Sequence, residues 1–251
     1  MSPTSPTPTP TIRPAHPPDL PSLTHLIPTA MSADPLYNYR YPHRHLHPTD
    51  HSTHTTAEYG SYIASPDYTV MLATLPDPSS LDNAKTVVVG MAIWYHPTPT
   101  TTPSAAGSDD TGSNRQDTDV VHDEQFTTAM SNAKTHYFDN VYGSQGHLHL
   151  QLLCTHPGFV RRGVGRALVG WGIGMARGEG QGKGVGVVSL MASQTGEKLY
   201  EGLGFRRLGW VAVGEGEDGG KGGLGLGLEA MVLDLREGGG GSGEVTGGEG
   251  G

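Results

Sequence analysis

A strand, a tight glycine turn and a helix follow one another between residues 147 and 175, and this unit most constrains the fold. In His147–Cys154, leucines at positions 148, 150 and 152 alternate with His149 and Gln151, the pattern of a β-strand with one buried face. Beyond the turn, apolar residues recur on one helix face: Val164, Ala167, Leu168, Trp171 and Met175. Further strands are predicted at 185–191, 205–213 and 228–235, with a short helix at 195–202. The second half of the chain is therefore predicted to be a mixed α/β arrangement.

The turn before the helix has the composition of a phosphate-binding site. Gly163 and Gly165 allow a tight turn that leaves backbone N–H groups pointing outward at the helix start. Three arginines surround this turn and can neutralise phosphate charge: Arg161, Arg162 and Arg166. The residues alone thus predict a site for a phosphate-bearing cofactor.

Two common nucleotide-binding motifs do not fit this turn. A dinucleotide fingerprint requires a third glycine where Leu168 stands. An ATP-binding loop requires Ser or Thr after a Gly-Lys pair, and Lys183 is followed by Gly184. Both alternatives fail at the residue that defines them.

Two motifs together resemble those of the GCN5-related N-acetyltransferases (GNAT). The first is Val160-Arg161-Arg162-Gly163-Val164-Gly165, similar to the family loop that holds the pyrophosphate of acetyl-CoA. The second is Leu199-Tyr200-Glu201-Gly202-Leu203-Gly204-Phe205, about forty residues later, preceded by Leu190-Met191-Ala192-Ser193. The resemblance covers residues 147–212 and is looser over 11–96, where Asp34-Pro35-Leu36-Tyr37 looks like the fungal-type members. It implies the GNAT fold, a mixed and mostly antiparallel sheet flanked by helices in a single domain.

The resemblance also implies where the acetyl donor, acetyl-CoA, would bind. Val160 occupies a position where the family has Gln or Arg, so backbone donors are expected to hold most of the phosphate. Leu153, Cys154 and Thr155 would present backbone groups to the pantetheine arm. The complete set of expected cofactor-binding residues is Leu153, Cys154, Thr155, Val160, Arg161, Arg162, Gly163, Val164, Gly165, Arg166 and Ser193.

The implied reaction is direct transfer of the acetyl group to a primary amine in a ternary complex. A backbone amide of the strand would polarise the thioester carbonyl, and Tyr200 would protonate the departing thiolate as general acid. His149 is our candidate for the base that takes the amine proton, because histidine titrates near neutrality. The acceptor, a small amine or a peptide, is expected near the Tyr-rich segment 37–41 and near Asp139.

The rest of the chain divides by composition. Of the 19 Pro residues, 18 precede residue 104, whereas Gly dominates the later half. We predict a disordered Pro/Thr-rich lead at 1–10, the N-acetyltransferase domain at 11–236 with a disordered insertion at about 97–119, and a disordered Gly/Glu-rich tail at 237–251. Within the domain, the patterns predict a strand at 11–13, a helix from Asp19, a loop with a second helix in 31–56, strands at 68–75 and 86–95, and a helix at 120–138.

Charge and cysteine content narrow the class of protein. The formal net charge of −9 argues against a nucleic-acid partner. The start of the chain lacks the basic and apolar regions of a signal peptide, and no apolar run reaches the length of a membrane span. A single cysteine suits a reducing compartment, so we expect a cytoplasmic protein, with the nucleus as the other possibility.

Three features leave alternatives open. His43, His45, His47, His51 and His54 could bind zinc or copper, although Pro48 interrupts them and no metal site is predicted. Cys154 could carry an acyl group, but a buried apolar role is commoner. The alternative to an enzyme is a non-catalytic module on the same fold that senses acyl-CoA or a metal.

Overall fold

The computed structural model describes residues 8–80, 85–96, 115–143, 146–179, 184–214 and 225–236. The predictions made for residues 1–7, for the insertion over 97–114 and for the tail at 237–251 lie outside the described residues.

Seven strands form one sheet. They are β1 (Thr11–Pro14), β2 (Tyr68–Pro76), β3 (Thr86–Tyr95), β4 (Leu148–Thr155), β5 (Val187–Ala192), β6 (Arg206–Gly214) and β7 (Leu226–Asp234). Their order across the sheet is β1-β2-β3-β4-β5-β7-β6. Every neighbouring pair is antiparallel except β4 and β5, which are parallel. The predicted mixed, mostly antiparallel sheet is confirmed.

Helices cover both faces of this sheet. They are α1 (Leu20–Ala30), α2 (Pro35–Arg40), α3 (Pro48–Ala64), α4 (Val120–Lys134), α5 (Asn140–Tyr142), α6 (Val164–Arg177) and α7 (Glu197–Glu201), with a π-helical turn, Thr135–Asp139, between α4 and α5. We call the face under α6 and α7 the back face and the opposite one, under α1 to α5, the front face. None of the helices in the described ranges combines the length and apolar character that crossing a membrane requires.

One expectation about β4 is wrong. The pairing of β4 with β3 shifts between Ile93 and Trp94, so that Leu152 and Leu150 are their partners and Gln151 is an extra, bulged residue. A bulge of this kind moves every later side chain to the opposite face. Leu148 and Leu150 therefore pack on the back face, whereas Leu152 packs on the front face with Cys154.

The buried stripe of α6 also differs from the predicted one. Val164 and Leu168 are buried as expected, but the stripe continues through Val169, Gly172, Ile173 and Ala176. Gly172 lies directly on the indole of Trp94: a Cβ there would come within 2.2 Å of the ring. Because no larger residue fits, this glycine fixes how closely α6 approaches β3.

This contact gives two opposite predictions on one helix. Gly172→Ala should destabilise the protein by about 1–3 kcal/mol, since the methyl group would displace the fully buried Trp94. Gly170→Ala should instead stabilise it by about 0.5–1 kcal/mol, because a Cβ at exposed Gly170 meets nothing within 4 Å. Urea unfolding of both variants checks this pair, and equal shifts in the same direction would contradict the packing described for α6.

The front face is built from segments that the sequence described only coarsely. The region predicted as a loop with one helix holds two helices, α2 and α3, and α3 runs on to Ala64. The last residues of the predicted insertion, 115–119, pack against this region. Asp117 is fully buried there and accepts hydrogen bonds from Arg115, and Thr118 donates to the backbone oxygen of Arg40.

Candidate functional site

The loop before α6 has an unusual backbone that exposes N–H groups. Arg161 has a φ of 63° and Gly163 a φ of 80°, and both values lie in the left-handed region. Gly163 is the N-cap of α6 and offers no side chain to the first turn, whose N–H groups have no partner inside the helix. Arg161, Arg162 and Arg166 are exposed around this end. Such a helix start binds anions through its N–H groups and its partial positive charge.

The two glycines of this loop do different things. A Cβ on Gly163 would meet nothing within 4 Å, so the space in front of the loop is open. A Cβ on Gly165 would lie 3.1 Å from Leu199 and 3.7 Å from Leu153. Gly165 thus lets the loop, the end of β4 and the helix α7 meet, which brings together the two sequence motifs.

The sheet opens beside this loop. In the described part of the chain, β4 and β5 pair through Leu148–Val188, His149–Ser189 and Leu150–Leu190. Beyond Leu150, β4 remains paired with β3 as far as Thr155, and no strand within the described ranges pairs with its other side. The backbone groups of β4 that face the gap are free to pair with an extended ligand, as an added strand would.

Tyr200 lies on the back face next to this gap. Its side chain is buried, its ring packs 5.7 Å from that of Phe205, and the residue before it, Leu199, touches the loop at Gly165. The Tyr200 hydroxyl makes no hydrogen bond with any residue in the described part of the chain. Burial raises the pKa of Tyr200 well above its ordinary value, so the hydroxyl stays protonated at neutral pH.

The thiol of Cys154 is sealed in the front core, where burial raises its pKa to about 12. The thiolate fraction near pH 8 is then about a thousandfold below that of a free cysteine. We expect an aromatic disulfide reagent to leave native protein unmodified and to titrate one thiol per chain after denaturation. Rapid native labelling would contradict this burial and would reopen the role of Cys154 as a nucleophile.

His149 points to the front face and belongs to a chain of hydrogen bonds. Its Nδ1 lies 2.8 Å from Ser189 Oγ, which lies 2.7 Å from His147 Nδ1. His147 Nε2 lies 3.2 Å from Asp139 Oδ1. Burial, followed by the charges of His147 and Lys134, lowers the pKa of His149 well below its ordinary value. His149 is therefore neutral at physiological pH but a weaker base than a free histidine, contrary to the expectation that it titrates near neutrality.

The predicted acid and base thus lie on opposite faces of the sheet. Tyr200 packs in the back core and His149 lies among front-face residues, with Phe138 5.4 Å from its ring. Both are near the point where β4 and β5 separate.

The histidine cluster does not assemble as a set of ligands. His51 is engaged with Asp117 at 2.6 Å and with the Tyr37 hydroxyl at 2.6 Å. His54 lies 3.3 Å from Asp50 on the same helix. In the described part of the chain, no group of three or more His, Cys, Asp or Glu residues is placed to hold a metal ion.

Comparisons with known proteins bear on the fold. A Corynebacterium glutamicum protein described as histone acetyltransferase HPA2 and related acetyltransferase superposes with a TM-score of 0.54 at 20% identity, over 90% of this chain and 96% of that one. The mosquito arylalkylamine N-acetyltransferase like 5b superposes with a TM-score of 0.52 at 16% identity, over 90% of this chain and all of that one. The chain has the GNAT fold. No protein-family model matches the sequence, and no curated protein matches it.

Within this GNAT fold, the structure adds residues that the sequence did not single out. Ser189 joins the two histidines, and Gln151 forms the bulge at the mouth of the gap. One signal was present: His147 and His149 are two apart on a strand and therefore share a face. Ser189 is reached only through the pairing of β4 with β5, which local sequence does not encode.

Proposed function

We propose that this chain is an N-acetyltransferase that moves an acetyl group from acetyl-CoA to a primary amine by direct attack in a ternary complex. The observation that carries the proposal is the glycine loop at the helix start beyond β4, beside a strand edge that no described strand pairs with past Leu150. A phosphate-bearing thioester with a long polar arm fits this combination of a helix start and an open edge. The acetyltransferase names of the two similar structures agree with it. The fungal-type likeness stays a prediction.

The loop would bind the pyrophosphate of acetyl-CoA. Backbone N–H groups of Val164, Gly165 and Arg166 face the open space before Gly163. Arg161 and Arg162 add positive charge, with Arg162 stacked 5.0 Å from the Phe159 ring. The side chain of Val160 is 53% exposed and offers no polar group, so backbone donors carry the binding.

The open edge of β4 would hold the pantetheine arm. Leu153 and Thr155 supply backbone groups there, while their side chains remain in the core or against the loop. The expected contribution of Cys154 is not supported, because its N–H and C=O face Met91 on β3, as the N–H of His156 faces Val89. Ser193 follows β5 across the gap, and its carbonyl accepts from Gly196 and Glu197 at the start of α7. A β4 amide near the Gln151 bulge would donate to the thioester carbonyl as charge develops on it.

The proton of the attacking amine would go to His149. If His147 donates from Nε2 to Asp139, its Nδ1 must accept, so the Ser189 hydroxyl donates to His147. Ser189 Oγ then accepts from His149 Nδ1, which leaves the lone pair of His149 on Nε2. These hydrogen bonds therefore fix the tautomer in which His149 can act as a base.

The same series of hydrogen bonds provides a route by which the proton taken from the amine can reach solvent. Asp139 is the outer member, and its side chain is 40% exposed whereas that of His147 is fully buried. A proton taken by His149 can pass through Ser189 and His147 to Asp139 and solvent. His147, Ser189 and Asp139 are positioning residues in this proposal, because they act through His149.

The test of the proposal is acetyl transfer from labelled acetyl-CoA to a panel of amines and peptides. We expect turnover with at least one acceptor and a rise in melting temperature with acetyl-CoA alone. A rise without turnover on any acceptor would identify a module that only senses acyl-CoA. The absence of both would overturn the proposal.

The base can be tested with Ser189→Ala and His149→Gln. Ser189→Ala should lower kcat about tenfold and flatten the acidic limb of the pH–rate profile, because His149 then loses its fixed tautomer. Adding Ser189→Ala to His149→Gln should cost little more, since both changes remove one pathway. If the two losses in kcat multiply and the pH–rate profile is unchanged, Ser189 and His149 do not act through one hydrogen-bonded pathway.

A further inference from the structure

The helix that carries Tyr200 is too short to hold its own position. α7 spans only Glu197–Glu201, and its N-cap, Gly196, makes no side-chain hydrogen bond to the first turn. A helix this short is not stable by itself in water, so contacts with the rest of the fold must keep α7 in place. The chain then turns through Gly204, with a φ of 92°, and enters β6 at Arg206.

Apolar contacts hold one side of α7. Tyr200 packs in the back core with Phe205, and Leu199 touches the glycine loop at Gly165. Because apolar contacts are non-directional, they leave the rotation of α7 about its axis to be fixed by other groups.

Arg207 supplies directional contacts to α7 from β6. Its Nη2 donates to Glu197 Oε2 at 2.8 Å and to Glu201 Oε1 at 2.6 Å, and its Nε donates to Glu201 Oε1 at 2.8 Å. Glu197 and Glu201 are the first and last residues of α7 and lie four apart, on one face of the helix. A single planar guanidinium group therefore ties both ends of α7 to β6.

The same guanidinium group reaches a second strand. Its Nη1 lies 3.9 Å from Glu229 Oε2 on β7, and Glu229 is the cross-strand partner of Ala192 at the end of β5. The side chains of Glu197 and Glu229 are almost completely buried, whereas those of Arg207 and Glu201 are 44% exposed. Glu197 is thus the firmly held end of this tie, and Glu201 is the looser one.

Removing Arg207 would do more than delete hydrogen bonds. Glu197 and Glu201 would repel each other across one turn of α7 once the cation between them is lost. Tyr200 lies between them in the sequence, directly before Glu201. A rotation or fraying of α7 would therefore displace the Tyr200 ring.

We propose that Arg207 is a positioning residue for acetyl transfer, which holds α7 in the orientation that presents the Tyr200 hydroxyl to the departing thiolate. This inference rests on the proposed function. Arg207 acts through Tyr200, so its effect should appear in turnover and not in the binding of acetyl-CoA.

The test compares Arg207→Gln with Arg207→Lys. Arg207→Gln should lower kcat by about tenfold to a hundredfold with little change in KM for acetyl-CoA, because a shift of about 1 Å at a reacting group has an effect of this order. Arg207→Lys should recover part of the loss, since an ammonium group keeps the charge but cannot form the fork to both glutamates. Full turnover in Arg207→Gln would overturn the inference.

Arg206→Gln is the matched control. Arg206 is the preceding residue of β6 and is also exposed, but its side chain lies on the front face, where Nη2 is 3.3 Å from the Tyr142 hydroxyl. This variant removes the same charge and should keep full turnover. Equal losses in kcat in Arg206→Gln and Arg207→Gln would overturn the inference.

A double-variant cycle separates positioning from a general loss of stability. In the Tyr200→Phe background, Arg207→Gln should lower kcat no further, because the hydroxyl that it positions is absent. If Arg207→Gln lowers kcat by the same factor in both backgrounds, its role is only structural and the inference is wrong.

Glu201→Gln carries the same comparison if Arg207→Gln does not fold. It removes one arm of the tie at an exposed side chain and leaves Arg207 paired with Glu197. It should lower kcat about threefold, and only in protein that has the Tyr200 hydroxyl. An equal loss without that hydroxyl would count against the inference in the same way.

These measurements also separate the inference from the proposed function. If the unchanged protein acetylates an amine and the Arg207 variants do so at the same rate, Arg207 is not a positioning residue and the proposed function stands. If the unchanged protein acetylates no amine, the proposed function itself fails.

Discussion

Replacing Gly163 with Glu should abolish acetyl-CoA binding, with a loss of affinity of at least about a hundredfold. The site is the N-cap of α6, where the helix end carries partial positive charge and Arg161 and Arg162 add more. A glutamate there would place a carboxylate where the pyrophosphate is expected. It would also force a side chain onto a φ of 80°, which costs a non-glycine residue about 1–2 kcal/mol. Isothermal titration calorimetry with acetyl-CoA measures the affinity directly.

The helix offers its own control for this variant. Gly170→Glu introduces the same residue on α6, at an exposed position where a Cβ also meets nothing within 4 Å. It changes the net charge equally but lies almost two turns from the loop, and it should bind acetyl-CoA as the unchanged protein does. Unaltered affinity in Gly163→Glu, or equal losses in both variants, would place the cofactor elsewhere.

The part of the site that sequence predicted is the part encoded locally. The loop from Val160 to Gly165 and the helix with Tyr200 are continuous segments, and their glycines and arginines indicate their chemistry by type and spacing. The strands were predicted for a similar reason, since alternation and β-branched runs such as Val87-Val88-Val89 need no distant partner to be recognised. These elements lie within one or two residues of their predicted bounds.

The rest depends on contacts between distant segments. The bulge at Gln151 reverses the side of Leu152, and a regular alternating pattern carries no sign of it. The hydrogen-bond chain from Asp139 to His149 requires β5 beside β4. Asp117 appeared to belong to a polar insertion, yet it is buried because Arg115 and His51 satisfy its carboxylate. Composition alone assigns such a residue to solvent, since it cannot show its partners.

The second large effect is expected for Tyr200→Phe, which should lower kcat by about a hundredfold to a thousandfold with little change in acetyl-CoA affinity. Tyr200 follows Leu199, which meets the loop beside the end of β4, and its hydroxyl has no partner in the described part of the chain. Phe keeps the ring and its packing against Phe205, and the substitution leaves no polar group without its hydrogen-bond partner. The folded state should therefore be as stable as before, so that a fall in turnover reports the missing proton donor alone.

The pH–rate profile and a matched variant test whether Tyr200 is the general acid. Because burial keeps the Tyr200 hydroxyl protonated through the alkaline range, the unchanged protein should lose activity only at high pH, and Tyr200→Phe should lack that alkaline limb. Tyr137→Phe removes a hydroxyl that touches Gly209 on β6, away from the loop and the gap, and should keep full turnover. Equal kcat values for both variants would show that Tyr200 does not protonate the departing thiolate of CoA. Tyr200 would then be a packing residue of the back core, and the acid would have to be sought among the groups that line the gap from β5.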